Sequence, residues 1–141
     1  MEPLALESLP AGSAVLVDSA PIIYVLEDHP RFASRFRAVF EAQDAGRLQI
    51  AMSTLTVAEV LTGPLRARDE ALARRYRRVF ETWRVVDMDL DIAETSARLR
   101  VSLGLKMADA VQAASALAIG AAALVTHDRD FSRLKVLPVL S

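Results

Sequence analysis

Short apolar runs alternate with stretches of helical periodicity along this chain. Residues 14–17 form an uninterrupted apolar tetrad that ends at Asp18, and largely apolar runs follow at 48–52, broken by Gln49, and at 122–126, closed by Thr126. Such runs, four to five residues long and without alternation, predict strands buried on both faces. A briefer strand is expected at 84–86 and an edge strand at 135–138, with residues 1–12 a loose leader before the first. Between these lie helices. Ser19 is placed to cap the first, with Pro21 in its first turn and Ile22, Ile23, Val25 and Leu26 on its apolar face. After Pro30, Phe32, Phe36, Val39 and Phe40 recur at helical spacing until Gly46. Ser53 or Thr54 caps a third helix, which Gly63-Pro64 should break.

From about residue 66 to 83, Leu72, Tyr76, Val79, Phe80 and Trp83 make a single stripe, predicting one long amphipathic helix. Asp87, Asp89 and Asp91 then precede a helix with Ile92, Leu99, Val101 and Leu103 as its apolar positions and Gly104 as its stop. A very apolar helix spans about 107–119, and 131–134 suits one helical turn. Strands alternating with helices imply an α/β fold: a three-layer sandwich with a mostly parallel sheet of four to five strands flanked by helices. At 141 residues, one domain spanning 1–141 is expected.

Composition narrows the chemistry. Apolar residues are 52 % and charged residues 25 %, and the net charge of -1 offers no global basic attraction for nucleic acid. With no cysteine and only His29 and His127, thiolate or imidazole-rich metal sites are excluded. Any bound metal needs oxygen ligands, which favours magnesium or manganese. The uncharged stretch 110–127 is interrupted by Gln112, Ser115 and Gly120, so it reads as a buried helix and strand rather than a membrane span.

Four carboxylates stand out. Asp18 and Asp128 directly follow apolar strands, where open α/β sheets bind ligands; Glu59 lies in a largely apolar helix; Asp109 opens the most apolar one. Each has an ordinary explanation: a cap, a solvent-facing acid, a helix-dipole partner and a turn residue. Together on one face they would repel each other unless a divalent cation joined them. Asp130 is read as the cap of the turn at 131–134. Asp87, Asp89 and Asp91 are no calcium loop, because Ile92 stands at the glycine position and Arg98 at the glutamate position. An aspartate-nucleophile phosphatase is disfavoured by Ala20, where its second aspartate would stand.

The segments 15–21, 53–60, 107–114 and 124–131, centred on these acids, resemble the PIN-domain family, most closely its VapC-type toxin ribonucleases. The resemblance runs from about Val15 to Pro138 in the family's order. It implies a PIN-like fold and a magnesium- or manganese-dependent endoribonuclease, the toxin of a cytoplasmic toxin–antitoxin pair. Asp18, Glu59, Asp109 and Asp128 match the family's acidic positions, with Asp18, Asp109 and Asp128 as metal ligands. Ser19 and Thr126 would support them, while Lys106 and Arg129 are candidates for touching substrate phosphate. His127 departs from the family, where asparagine or another small polar residue is usual.

The implied partners are RNA, a homodimer mate and an antitoxin covering grooves near Ile22, Ile23, Leu26 and the helix around Val60. The basic patch of Arg74, Arg75, Arg77 and Arg78 reads as a solvated helix face. The competing reading is a silent PIN-like scaffold that binds RNA or protein without turnover.

Overall fold

The computed structural model describes residues 4–141. Five parallel strands form one sheet in the order β3-β2-β1-β4-β5. They are β1 (Ala14–Val17), β2 (Gln49–Ser53), β3 (Arg84–Val86), β4 (Ala123–Val125) and β5 (Val139–Leu140). The helices are α1 (Ser19–Leu26), α2 (Ala33–Asp44), α3 (Thr54–Arg66), α4 (Glu70–Phe80), α5 (Leu90–Leu103) and α6 (Met107–Ala118), and a 3-10 turn covers Arg129–Arg133. The last strand is at the sheet edge as expected, though it begins after Pro138 rather than before it.

The central strands β1 and β4 are buried on both faces and continuously apolar, whereas β3 at the edge carries exposed Arg84 and Val85. Val15, Val17, Ile50, Met52 and Val125 point into a core completed by Ile22, Phe36, Val39, Val60 and Tyr76 from the first four helices. Leu16, Ala51 and Leu124, on the opposite pleat, pack with Ile92, Ala113, Ala116 and Phe131. Ile22 and Val60 lie inside the first core at 0 % and 2 % exposure. Those two side chains cannot themselves line a groove, whereas Ile23 and Leu26 on α1 and Val57 and Leu61 beside Val60 on α3 are partly accessible.

Several boundaries differ from the periodicity. The expected loose leader is tied down over residues 4–9: Leu4 and Leu6 are buried in the first core and Leu9 packs on it. Residues 1–3 lie outside the described part. Helix α3 runs through Pro64 to Arg66 rather than breaking at Gly63-Pro64. A residue before proline resists the helical region partly because its Cβ clashes with the proline ring; Gly63 has no Cβ, and Pro64 is buried near the helix end.

The long helix expected over 66–83 is instead two pieces. Arg68 adopts a left-handed φ of 58°, and Asp69 starts α4 by accepting from the Leu72 N–H at 3.0 Å. Trp83 still packs edge-on against Phe40, just beyond the helix. Helix α5 stops at Gly104, whose φ of 69° suits a residue without a side chain. Val101 is not on its buried face: it is 89 % exposed, on the side away from Ile92 and Leu99. Among the described residues no helix is long and apolar enough to cross a membrane.

Candidate metal centre

Strand order decides where the site lies. The chain moves outward from β1 to β2 and β3, then returns to the other side of β1 as β4 and β5. The reversal falls between β1 and β4, and ligand crevices in open α/β sheets form at such switch points, beyond the carboxyl ends of the strands. Asp18 follows β1, and Asp128 lies just beyond β4. The Asp18 N–H donates to the Val125 carbonyl at 2.8 Å, tying the two strand ends together. Helix α6 brings Asp109 in its first turn, and α3 brings Glu59. Asp18, Ser19, Glu59, Asp109, Asp128 and Arg129 all line one cleft.

Asp18 is held firmly. Its Oδ1 accepts from the Ser19 N–H and from Gln112 Nε2, each at 2.9 Å, and its Oδ2 accepts from Thr126 Oγ1 at 2.9 Å. Asp18 is thus the cap of α1, and Ser19 is the first helical residue rather than the cap. Thr126, fully buried, also accepts the Asp128 N–H at 3.0 Å, so one hydroxyl joins two acids.

Gln112 escaped the pattern reading, where it looked like a mere interruption of an apolar helix. It is 1 % exposed. Its Nε2 donates to Asp18 and Thr56 Oγ1, and its Oε1 accepts from Ser53 Oγ at 2.8 Å. Lying one turn after Asp109, it faces the same way as the acid, and that i, i+3 spacing was the available signal.

The acids nearest one another are a different set. Asp109, Asp128 and Asp130 each present one carboxylate oxygen within 4.8 Å of the others. Asp130 is therefore not the cap of the last turn. Asp128 is, accepting the Asp130 N–H at 2.8 Å, because the turn begins at Arg129, two residues earlier than expected.

Asp109 is buried, and its Oδ2 has no hydrogen-bond partner among the described residues. Burial, then the charges of Asp128, Asp18 and Asp130, push its carboxyl up to about 6, with Lys106 opposing them. The Glu59 carboxyl is also raised, by burial first and then by Asp18 and Asp109. An orphaned buried oxygen among repelling carboxylates is the donor set that a hard divalent cation fits, since the ion supplies the missing partner and reverses the repulsion.

Lys106 does not line this cleft; it pairs with Asp130 at 3.8 Å across an exposed gap beside it. The arginines of α4 are elsewhere too. Arg77 pairs with Glu81, and Arg75 and Arg78 border a groove with Phe40 and Trp83.

Comparison with known proteins agrees with this architecture. A toxin–antitoxin complex from Klebsiella pneumoniae contains a chain 26 % identical to this one, with a TM-score of 0.71 over 90 % of this chain and 96 % of that one. The VapBC2 structure from Rickettsia felis, bound to a promoter DNA fragment, matches with a TM-score of 0.73 at 20 % identity, covering 89 % and 96 %. The sarcin–ricin loop cleaving toxin VapC20 of Mycobacterium tuberculosis matches at 0.68 and 16 %, covering 84 % and 92 %. At those lower identities the likeness is one of fold. No curated protein matches the chain. The family model for the PIN domain matches residues 15–137, which run from β1 through β4 and include every cleft acid, and the chain belongs to that family.

Proposed function

We propose that this protein is a metal-dependent endoribonuclease, the toxin of a toxin–antitoxin pair, acting in the cytoplasm as one domain. The observation that carries this reading is the buried Asp109 Oδ2, without a hydrogen-bond partner among the described residues, in a cleft lined by three further carboxylates and with Asp130 close beside it.

Asp18, Asp109 and Asp128 would hold magnesium or manganese, with Asp130 completing the group. The ion, when bound, would polarise a scissile phosphate and make water a competent nucleophile near neutral pH. The chain's own residues set the geometry. Ser19, Gln112 and Thr126 fix the Asp18 carboxylate in one orientation. Glu59 lines the same cleft with a raised pKa, which suits a group that orients the attacking water and takes its proton. Arg129, which lines the cleft, would hold the flanking phosphate, whereas Lys106 would act first on Asp130.

The likeness to the Klebsiella toxin–antitoxin complex and to the Rickettsia VapBC2 structure supports an antitoxin partner. Exposed Leu90 and Val101 on α5 and Met107 on α6 support a second copy as a further partner; sedimentation at micromolar concentration should then show a dimer.

The test is cleavage of labelled RNA that is abolished by EDTA and restored by manganese. An Asp18→Asn protein that cuts RNA at the wild-type rate would refute the site. Metal binding without cleavage of any structured or unstructured RNA would favour a silent scaffold.

A further inference from the structure

The acids occupy only part of the cleft. Tyr24 from α1 and His127 from the segment after β4 line it too. Their rings stand nearly perpendicular, 5.4 Å apart, and the Tyr24 hydroxyl meets His127 Nδ1 at 2.9 Å. Behind them, Phe32 and Phe36 lie 4.6 Å and 5.8 Å from the His127 ring. Phe36 is fully buried, whereas Tyr24 and His127 are half-buried.

Aromatic residues that serve only core packing close over one another. Here two rings stay open to the cleft that holds the carboxylates, and a buried ring backs them. The hydroxyl–imidazole link fixes both rings, so a ligand meeting them orders little that is not already ordered. The polar end of Tyr24 is satisfied within the protein, and His29, Phe32 and Phe36 pack around its ring, which leaves the part of the ring lining the cleft as what it offers a ligand. The other imidazole nitrogen of His127 has no hydrogen bond to the protein among the described residues, which leaves it for the edge of a ligand.

An RNA substrate has a flat, aromatic group one sugar away from every phosphate, and protein aromatic rings are its usual platform in single-stranded RNA. The cleft encloses about 620 Å³, within the range of small-ligand sites, so a nucleotide fits beside the acids. His127 directly precedes Asp128 in the chain, so a base on this wall belongs to the nucleotide adjoining the phosphate at the carboxylates.

We infer that Tyr24 and His127 form a nucleobase-stacking subsite that accepts an unpaired base next to the scissile phosphate and rejects bases held in a duplex. This rests on the ribonuclease reading above, and its test is separable from it.

The full chain is titrated in calcium with a short single-stranded RNA through which one abasic nucleotide is walked. One position should matter: loss of its base weakens binding to the wild-type protein about ten-fold. The same abasic change should cost little in Tyr24→Leu, which binds the intact RNA about ten-fold more weakly from the start. His127→Asn, which disturbs the apolar core less, should also shrink the abasic penalty, so a folding defect in Tyr24→Leu does not leave the question open. Tyr24→Phe, which keeps the ring, should retain most of the penalty.

The subsite is overturned if no position matters, or if the abasic penalty is equal in the wild type and both ring variants. Parallel assays in manganese separate the two ideas. RNA that shows the position-specific penalty and is never cut sinks the ribonuclease reading and leaves the subsite. RNA that is cut with no such position sinks the subsite alone. RNA that does not bind at all overturns both.

Discussion

Two polar regions meet at the end of β1, and they are built on opposite terms. Around Asp18, Ser53, Thr56, Gln112 and Thr126 form a buried network with reciprocal donors and acceptors. A few ångströms of chain away, Asp109, Asp128 and Asp130 crowd like charges together, and one buried oxygen has no partner among the described residues. The first region is complete as folded and costs little beyond its burial, since satisfied buried groups avoid the desolvation penalty. The second is strained in the free protein and gains from a ligand. The satisfied region thereby sets the position at which the unsatisfied one must be completed.

Mutation should separate the two most sharply at Asp109. Asp109→Asn is expected to lower RNA cleavage by about 10²–10³-fold, the range for losing one preorganised electrostatic group. The same change should raise the melting temperature of the metal-free protein, because it removes a buried, repelled charge. Manganese should then raise the melting temperature of the wild type and not of the variant. A variant that is both inactive and less stable without metal would mean that Asp109 is a structural acid like its neighbour.

Gln112→Leu probes the complete region and should move stability the other way. Ser53, Thr56 and Asp18 each lose a buried partner, a destabilisation of about 1–3 kcal/mol measurable by urea unfolding. Manganese affinity should fall about 10–100-fold, the usual effect of losing a group that orients a ligand. Unchanged affinity in a destabilised protein would make the network purely architectural.

The pH dependence follows from the raised Asp109 carboxyl, about 6 in the folded chain. Because the folded state holds this proton more tightly than the unfolded chain, Asp109's contribution to stability is greatest below about pH 4, near its unfolded value. It is lost as pH rises through about 6. Metal-free thermal melts should show that slope in the wild type and a flatter one in Asp109→Asn. Manganese needs the ionised carboxylate, so the metal-induced rise in melting temperature should grow over the same interval. Identical pH slopes with and without Asp109 would rule out its titration.

The smallest effect is expected at Lys106, whose charge opposes the rise at Asp109 from an exposed position. Lys106→Gln should shift the midpoint of the metal-linked stabilisation slightly to higher pH, with little change in stability, since exposed pairs contribute ~1 kcal/mol or less. An unchanged midpoint would show that Lys106 has no hold on Asp109.

Much of this was legible from residue order. Continuous apolar runs are what strands buried on both faces require, so 14–17 and 122–126 mark β1 and β4, and the order of helices follows from the stripes between them. Asp18 and Asp128 stood out because they directly follow such runs. The errors arose where an outcome depended on neighbours distant in sequence. Proline inside α3 is tolerated because Gly63 removes a clash and the core covers Pro64, neither of which periodicity reports. Leu4 and Leu6 were hidden in a segment with no repeating pattern.

The roles of Gln112 and Asp130 were likewise invisible. A buried glutamine and an interrupting one look alike until their partners are known. Asp130 changes from cap to cluster member through a two-residue shift in where the last turn begins.

Residue order alone thus determined the α/β alternation, the oxygen-only donor set and the four acids, because burial and charge are local properties of side chains. The fold decided which acids meet, which are satisfied and which ring pair shares their cleft. Those are matters of pairing, and pairing was set when β4 returned to lie beside β1 and brought residues more than a hundred positions apart into hydrogen-bond contact.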